Sequence, residues 1–442
     1  MVRFSCTALA SSLLLALLSL QPARALPSFA QQTGMECSGC HVGGFGPQLT
    51  PTGMKFKLGG YTDSNGQGTK IPLAAMLVEG FTHTEKKAAS EPAQGFGLNN
   101  NFALQELSVF LAGGFGKHLG AFVQGTYSGI DDKIAMDNMD IRVVDSRTVG
   151  GHAVTYGLSF NNNPTVQDPF NSVPAWRFPY MSSDLANGPA AAPLLDGGLE
   201  MQVFGVTSYA FVDGLLVEGG AYFSPSAALV TGLGVTDSKD DVLRVKGGAP
   251  YWRIGYMKEL GRQSFSVGSF GMLASVQPDR FAPATDDYTD VGFDANWQWK
   301  PTLHQLIAVN STFLHEHRDL RASVGLGAAD RRSGDLEQFR LTGSWYWRNT
   351  YGGTVSFFDT WGDRNAIYGS RTGRPDTRGV VLQTDWTPFG KSGAWLSPWA
   401  NLRLALQYTI YDQFDGATGN YDGTGRDASD NNTLFCFLWT AF

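Results

Sequence analysis

The chain has 442 residues and a formal net charge of −7, and its charged residues make up 17% of the sequence, against about 25% in ordinary soluble domains. Glycine is frequent, with 54 residues, and aromatic residues account for 12%. The acidic balance argues against nucleic acid as a partner, and the composition favours strands with two different faces over a soluble domain of ordinary make-up.

Residues 1–25 have the features of a secretory signal peptide. Arg3 gives a basic start, residues 13–18 form an apolar centre, and residues 23–25 (Ala-Arg-Ala) form a small-residue cleavage site. A membrane-spanning helix is excluded because the apolar centre is too short and polar residues follow it. We therefore expect an exported chain whose mature part begins near residue 26.

Residues 26–66 are predicted to form a small haem segment. They contain Cys37-Ser38-Gly39-Cys40-His41, and C-x-x-C-H is the attachment motif of a c-type haem. Two thiols at this spacing each form a thioether bond to the porphyrin, and His41 is then the proximal ligand of the iron. A zinc site needs four ligands, and the sequence has no second cluster to supply them. About forty residues bury too little surface to fold alone, so this segment needs haem and a host.

The sixth position of the iron is less defined by the sequence. Met54 is our candidate because it lies thirteen residues after His41 in the same segment, and its thioether would raise the redox potential relative to a second histidine. Met35, Met76 and His83 compete with it. A packing role is the alternative for any single methionine.

From residue 67 to residue 442, apolar and polar residues alternate with a period of two. In residues 291–300, one face reads Val, Phe, Ala, Trp, Trp and the other reads Gly, Asp, Asn, Gln, Lys, and residues 338–347 and 402–411 follow the same pattern. Such alternation predicts strands with one apolar face. Strands of about ten residues match a tilted crossing of a bilayer.

The spacing of these segments predicts an all-β fold, a transmembrane antiparallel outer-membrane barrel with the haem segment seated inside it. Short turns alternate with long loops, which is typical of outer-membrane barrels, and an even number of strands puts both chain ends on the periplasmic side. A soluble β-sandwich or propeller is the alternative. About sixteen strands are expected, near residues 71–83, 103–113, 119–128, 138–146, 152–161, 198–211, 214–224, 250–259, 263–275, 290–300, 303–315, 335–347, 351–361, 377–387, 399–412 and 432–442.

Several residue groups follow from the predicted strand faces. Tryptophans near strand ends favour interfacial girdles; they are Trp297, Trp299, Trp345, Trp347, Trp386 and Trp439. Polar residues predicted to form an ordinary wet lining of the lumen are Asp140, Arg142, Arg253, Asp294, Arg340 and Arg403. The last strand is apolar on both faces, which indicates a packed interior on that side. Acidic clusters in the long loops suggest weak attraction of ferrous ions; they are Asp237, Asp240 and Asp241; Asp286, Asp287 and Asp290; and Asp412, Asp415, Asp422, Asp427 and Asp430.

The N-terminal motifs together resemble the fused outer-membrane monohaem cytochrome c–porins, best known from iron-oxidising bacteria. Residues 25–33 before the haem motif match the family, although the family usually has a basic residue where Gln31 stands. Residues 47–51 and 56–61 are similar to related porin cytochromes. The resemblance implies one covalent haem c within the barrel, and electrons that cross the outer membrane between an extracellular donor or acceptor and a periplasmic cytochrome. Fe(II) is one donor that it implies.

The sequence thus leads to a principal hypothesis, an electron-transfer protein of the outer membrane, with membrane lipid around it. Its alternative is a passive diffusion porin in which the haem segment is a structural plug. No arrangement typical of a hydrolase or a transferase stands out, so an enzymatic role is left open only for Fe(II) oxidation. A soluble haem enzyme such as a peroxidase is the third hypothesis, and no acid–base pair favours it.

Overall fold

In the computed structural model, which describes residues 27–66, 72–397 and 399–442, the strands form one closed antiparallel barrel. The described residues contain seventeen strands, and one of them, β8, has only two residues and pairs with the end of β10. The other sixteen close into a ring because β1 pairs with both β2 and β17. The strands are β1 Leu73–Thr84, β2 Asn101–Gly114, β3 Leu119–Ser128, β4 Lys133–Val149, β5 His152–Asn161, β6 Phe204–Val212, β7 Leu215–Phe223, β8 Arg244–Val245, β9 Ala249–Leu260, β10 Gln263–Gln277, β11 Asp286–Thr302, β12 Gln305–Asp319, β13 Ser333–Trp347, β14 Tyr351–Gly362, β15 Thr377–Trp386, β16 Asn401–Gln413 and β17 Thr433–Ala441.

The sixteen-stranded barrel expected from the sequence is confirmed. Two expectations need correction. The strand predicted at 198–211 begins only at Phe204, because the preceding residues belong to a loop inside the barrel. The strand β8 was missed because two residues carry no periodic pattern. The predicted signal peptide at residues 1–25 lies outside the described residues.

The outer wall of the barrel is apolar and has an aromatic girdle at its short-turn end. Outward side chains such as Val143, Val355 and Leu404 are exposed on the strands. Closed pairing leaves no strand edge, and an apolar outer band with aromatic rims is the surface that a lipid bilayer requires. The girdle contains the outward-facing Trp297, Trp299, Trp345, Trp347 and Trp386. Trp439 does not belong to it: it points inward and is 7% exposed.

Short helices connect or precede the strands. None of the helices in the described ranges is long and apolar enough to cross a membrane. The α-helices are Pro27–Thr33, Cys37–Cys40, Pro51–Leu58, Ala227–Gly232 and Arg321–Gly325. The 3₁₀ and π turns are Val42–Gly44, Pro174–Trp176, Leu194–Gly198, Ala366–Tyr368 and Ala428–Asn431.

Two segments fill the lumen. The first, residues 27–66, is called here the N-terminal segment, and it lies at the short-turn end of the barrel, where Gly390 accepts a hydrogen bond from Ser38 N. The second, residues 162–203, is called the lumen loop; it connects β5 and β6 and turns back inside the barrel. The two segments touch each other, since the side-chain amide of Asn171 donates to Pro47 O at 2.8 Å.

Candidate haem site in the barrel lumen

Inward-facing barrel side chains hold the backbone of the N-terminal segment. Much of this segment is irregular, so its carbonyl groups need hydrogen-bond donors once they are removed from water. The polar face of the strands supplies them in a recurring way. The bonds run from Arg403 Nη2 to Phe45 O at 2.8 Å, from Gln298 Nε2 to Leu49 O at 2.7 Å, from Arg142 Nη1 to Lys57 O at 3.0 Å and from Tyr209 Oη to Leu58 O at 2.7 Å.

Buried ion pairs reinforce this attachment. Arg403 Nε lies 2.9 Å from Asp385 Oδ1, and Arg142 Nε lies 2.8 Å from Asp140 Oδ2, with all four side chains almost fully buried. The lumen loop is held similarly, because Arg253 lies 2.8 Å from Asp168 of that loop.

The expectation of a wet lumen lining at these positions is therefore wrong. The arginines do face the lumen, as predicted, and the two inserted segments cover them. Arg253 also lies 2.7 Å from Asp294, and Arg340 donates to Phe178 O of the lumen loop at 2.9 Å. A charge removed from water in this way requires a partner, and each arginine has one.

The predicted haem-binding residues lie together on one short helical turn. Cys37 and Cys40 are the first and last residues of the helix Cys37–Cys40, and His41 N donates to Cys37 O at 2.8 Å. Residues three apart on a helix face the same side, so both thiols are available to one flat ligand. Both cysteines are free thiols of intermediate burial. This donor set, two thiols and an imidazole, fits covalent haem c.

His41 and Cys37 are partly buried in the lumen, and this burial shifts the pKa of both side chains. Burial raises the pKa of the Cys37 thiol to about 11, although the side chain of Asn401 donates a hydrogen bond that lowers it. Burial lowers the pKa of His41 to about 4; a backbone hydrogen bond at Gly46 opposes this shift, and the charge of Arg403 adds to it. Nδ1 of His41 is buried with no hydrogen-bond partner among the described residues. A neutral imidazole with an unpartnered ring nitrogen is the form that binds a metal.

Glycines allow close contacts on both sides of the motif. Gly43 has φ +68°, and a Cβ there would collide with the ring of Tyr346 on the barrel wall. A Cβ on Gly53, in the helix Pro51–Leu58, would collide with Cys40 O. Only glycine permits both approaches, and the motif is thereby fixed between the wall and this helix.

The candidates for the sixth ligand lie in different places. Met54 is buried in an apolar cluster with Leu49 and Phe170 and therefore contributes to packing. Its role as a ligand of the iron stays a prediction. Met35 lies beside the Cys37–Cys40 turn, where its Sδ is 4.0 Å from the position of a Cβ on Gly39. His83 is at the loop end of β1 and is hydrogen-bonded to Asn100, which places it far from the motif.

The apolar inner face of β17 meets the N-terminal segment. Phe45 packs edge-to-face on Trp439 with ring centroids 4.7 Å apart, and Phe435 and Phe437 belong to the same buried cluster. The packed interior that the last strand predicted is confirmed. The prediction that Trp439 belongs to the outer girdle is wrong. Phe435 and Phe437 lie four and two residues before it on the same face of β17, and this spacing of two indicates that Trp439 faces inward with them.

The acidic residues predicted in the long loops form no metal site. Four of them are not in loops: Asp286, Asp287 and Asp290 lie on β11 and Asp412 lies on β16. Asp286 accepts hydrogen bonds from the backbone of Ala322 and Ser323, and Asp290 accepts one from Leu195 N of the lumen loop. Within the described ranges, no group of three or more His, Cys, Asp or Glu side chains is arranged to hold a metal ion. The expected attraction of ferrous ions therefore has no coordinating cluster behind it.

These features define the general class of the molecule. The chain forms a closed antiparallel β-barrel whose sixteen main strands carry the apolar outer wall and aromatic girdle of bacterial outer-membrane barrels. No protein-family model and no curated protein matches the sequence. Three solved barrels illustrate the likeness: OmpT of Vibrio cholerae (11% identity, 85% of this chain, 99% of that chain, TM-score 0.44), the channel DcaP of Acinetobacter baumannii (10%, 84%, 96%, 0.45) and an anion-selective porin from Comamonas acidovorans (14%, 84%, 98%, 0.44). Similarity of this degree concerns the kind of fold and indicates no shared function.

Proposed function

We propose that the chain is an outer-membrane c-type cytochrome–porin that carries electrons between an extracellular partner and a periplasmic cytochrome. The observation that carries the proposal is the placement of Cys37, Cys40 and His41 on one turn inside the barrel, next to the short-turn end. A haem bound there supplies reversible one-electron chemistry. In the direction that the family resemblance suggests, an extracellular Fe(II) ion loses one electron and the periplasmic cytochrome gains it.

The chain contributes position and environment to this function. Cys37 and Cys40 would form the two covalent bonds to a haem, and the imidazole of His41 would bind its iron. The charge of Arg403 near this site favours a reduced over an oxidised centre, because a positive neighbour stabilises added negative charge. The lumen loop covers the segment from the extracellular side and limits access of water and large molecules.

The first experiment tests for covalent haem. Outer-membrane fractions should contain one covalently bound haem per chain, with the absorption spectrum of a c-type cytochrome. Cys37→Ala and Cys40→Ala should each weaken or abolish attachment, whereas Cys436→Ala, in the wall strand β17, is the matched control and should retain the haem. Full retention in the double variant Cys37→Ala/Cys40→Ala would refute the proposal.

The second experiment tests electron transfer across the membrane. Sealed vesicles that carry the protein should show haem reduction when a donor that cannot enter is added outside. If the haem stays oxidised while dithionite in opened vesicles reduces it, the site is redox-active but is not a conduit.

A passive diffusion porin with a structural plug is the second candidate, and the porin-like build of the barrel favours it. The packed N-terminal segment and lumen loop weigh against an open channel. Planar-bilayer conductance decides between the two: single-channel steps that are equal in the wild type and in Cys37→Ala/Cys40→Ala would support diffusion. Electron transfer predicts little conductance in either protein.

A further inference from the structure

The short-turn end carries one connection that is unlike the others. Neighbouring strands at this end are joined by turns of a few residues, but residues 387–400 form a long turn between β15 and β16. Trp395 in this turn is 79% exposed. The ring of Phe389 packs edge-to-face on it, with centroids 5.6 Å apart. Tryptophan is enriched among the residues that contribute most to protein–protein binding.

This turn touches the haem motif directly. Ser38, between the two motif cysteines, donates its backbone N–H to Gly390 O at 2.8 Å. A Cβ on Gly390 would collide with Gly44 O, so the turn and the segment pack backbone against backbone. Asn401, at the start of β16, donates to Gly44 O at 2.7 Å. A protein bound at this turn would therefore lie next to the residues that hold the haem.

The same side of the rim is basic. Four successive short-turn connections, from β9–β10 to β15–β16, or the strand ends next to them carry cationic side chains that form no salt bridge with any described residue. We call them the basic arc: Arg262, Lys300, Arg348 and Lys391. The described residues of the turn between β15 and β16 contain no carboxylate, and Leu303 in the turn between β11 and β12 is 90% exposed. The whole chain has a net charge of −7, so this basic surface runs against the overall balance.

From these observations, and resting on the function proposed above, we propose that the basic arc with Trp395 and Leu303 is the docking surface for a small acidic periplasmic cytochrome c. An apolar centre with a charged rim suits a transient complex, since charge complementarity speeds association while a small apolar contact keeps binding weak. Anionic phospholipid headgroups are the other chemistry that a basic rim attracts, and the experiment separates the two.

Binding is measured with the full chain in nanodiscs and a soluble acidic c-type cytochrome as the probe. The variant Arg348→Glu/Lys391→Glu should lower the association rate about tenfold and reduce its dependence on salt. Trp395→Ala should speed dissociation and leave the salt dependence unchanged. The control Lys117→Glu/Arg147→Glu reverses two exposed charges on the opposite side of the same rim and should bind as the wild type does. A basic cytochrome of similar size should bind the charge-reversed variant better than the wild type.

Equal binding of the acidic cytochrome to the wild type, the arc variant and the control would overturn the proposal. So would a defect that appears only in nanodiscs made with anionic lipid, because the arc would then serve the headgroups. The binding measurement is repeated on Cys37→Ala/Cys40→Ala. If the charge reversals in the basic arc also weaken binding to that variant, the docking surface is supported whether or not haem is found. If the wild type contains no covalent haem, that result counts against the proposed function alone.

Discussion

Arg403 Nη2 donates a hydrogen bond of 2.8 Å to Phe45 O and thereby joins β16 to the N-terminal segment. The same guanidinium pairs with Asp385, and both side chains are almost fully buried. We expect Arg403→Met to lower the free energy of unfolding by about 3–5 kcal/mol, because it leaves a buried carboxylate unpaired. The measurement is guanidinium unfolding in detergent, with proteolysis of residues 27–66 as a local readout. Arg403→Met/Asp385→Leu should regain most of the loss, and a single variant as stable as the wild type would contradict this account.

The raised pKa of Glu200 in the lumen loop predicts that the free energy of unfolding depends on pH. Burial raises its pKa to about 7, with a further rise from Asp137, although Arg177 and the hydrogen bond from Asn163 oppose the shift. Between about pH 4.3 and 7 the carboxyl group of Glu200 is therefore protonated in the folded state and ionised in the unfolded state. Its contribution to the free energy of unfolding is complete below about pH 4.3 and is lost as the pH rises to 7. Glu200→Gln should be more stable than the wild type at pH 8 by about 1–3 kcal/mol and nearly equal at pH 4. The exposed substitution Glu91→Gln should show no such difference.

The barrel was predictable because lipid outside and a polar interior impose a period of two on each strand. Residues 291–300 show this alternation, and the structure places them as predicted. The lumen loop was not predictable, since its Gly, Pro and polar residues are those of any long loop, and nothing local shows that it turns inward. Arg253 illustrates the limit: its inward direction followed from the strand pattern, but its partner Asp168 lies 85 positions away in the chain and becomes visible only in the structure.

The substitution Gly43→Ala tests how tightly the haem motif packs against the barrel wall. Gly43 has φ +68°, and an alanine in this conformation should lower the free energy of unfolding by about 1 kcal/mol. The collision of its Cβ with Tyr346 should lower it by about 1–3 kcal/mol more. Gly66 has φ +74° with nothing within 4 Å, so Gly66→Ala isolates the backbone cost. We expect Gly43→Ala to reduce both the midpoint of thermal unfolding and the yield of covalent haem, and Gly66→Ala to affect the midpoint slightly. Equal effects of the two substitutions would show that the contact with Tyr346 is loose.

The substitution Met54→Leu can separate the packing role of this residue from a role as ligand of the iron. Met54→Leu keeps the volume of the side chain and the apolar cluster with Phe170, at a cost below about 1.5 kcal/mol, but removes the thioether. If Met54 is the sixth ligand, the substitution should change the absorption spectrum and lower the midpoint potential. Met272→Leu, in the buried cluster with Phe270 on β10, is the matched control. An unchanged spectrum in Met54→Leu, with a changed one in Met35→Leu, would transfer the ligand role to Met35.

Trp439 and Trp345 are both at the short-turn end of the barrel, and their opposite directions give them different energetic roles. Trp439 packs against Phe45 inside the lumen, whereas Trp345 is 45% exposed on the outer wall. Trp439→Ala creates a cavity and should cost about 3–5 kcal/mol, with increased proteolysis of residues 27–66. Trp345→Ala should change the free energy of unfolding in detergent much less and leave that segment protected. If both variants lose the same stability without exposing the segment, Phe45 and Trp439 do not hold the N-terminal segment in place.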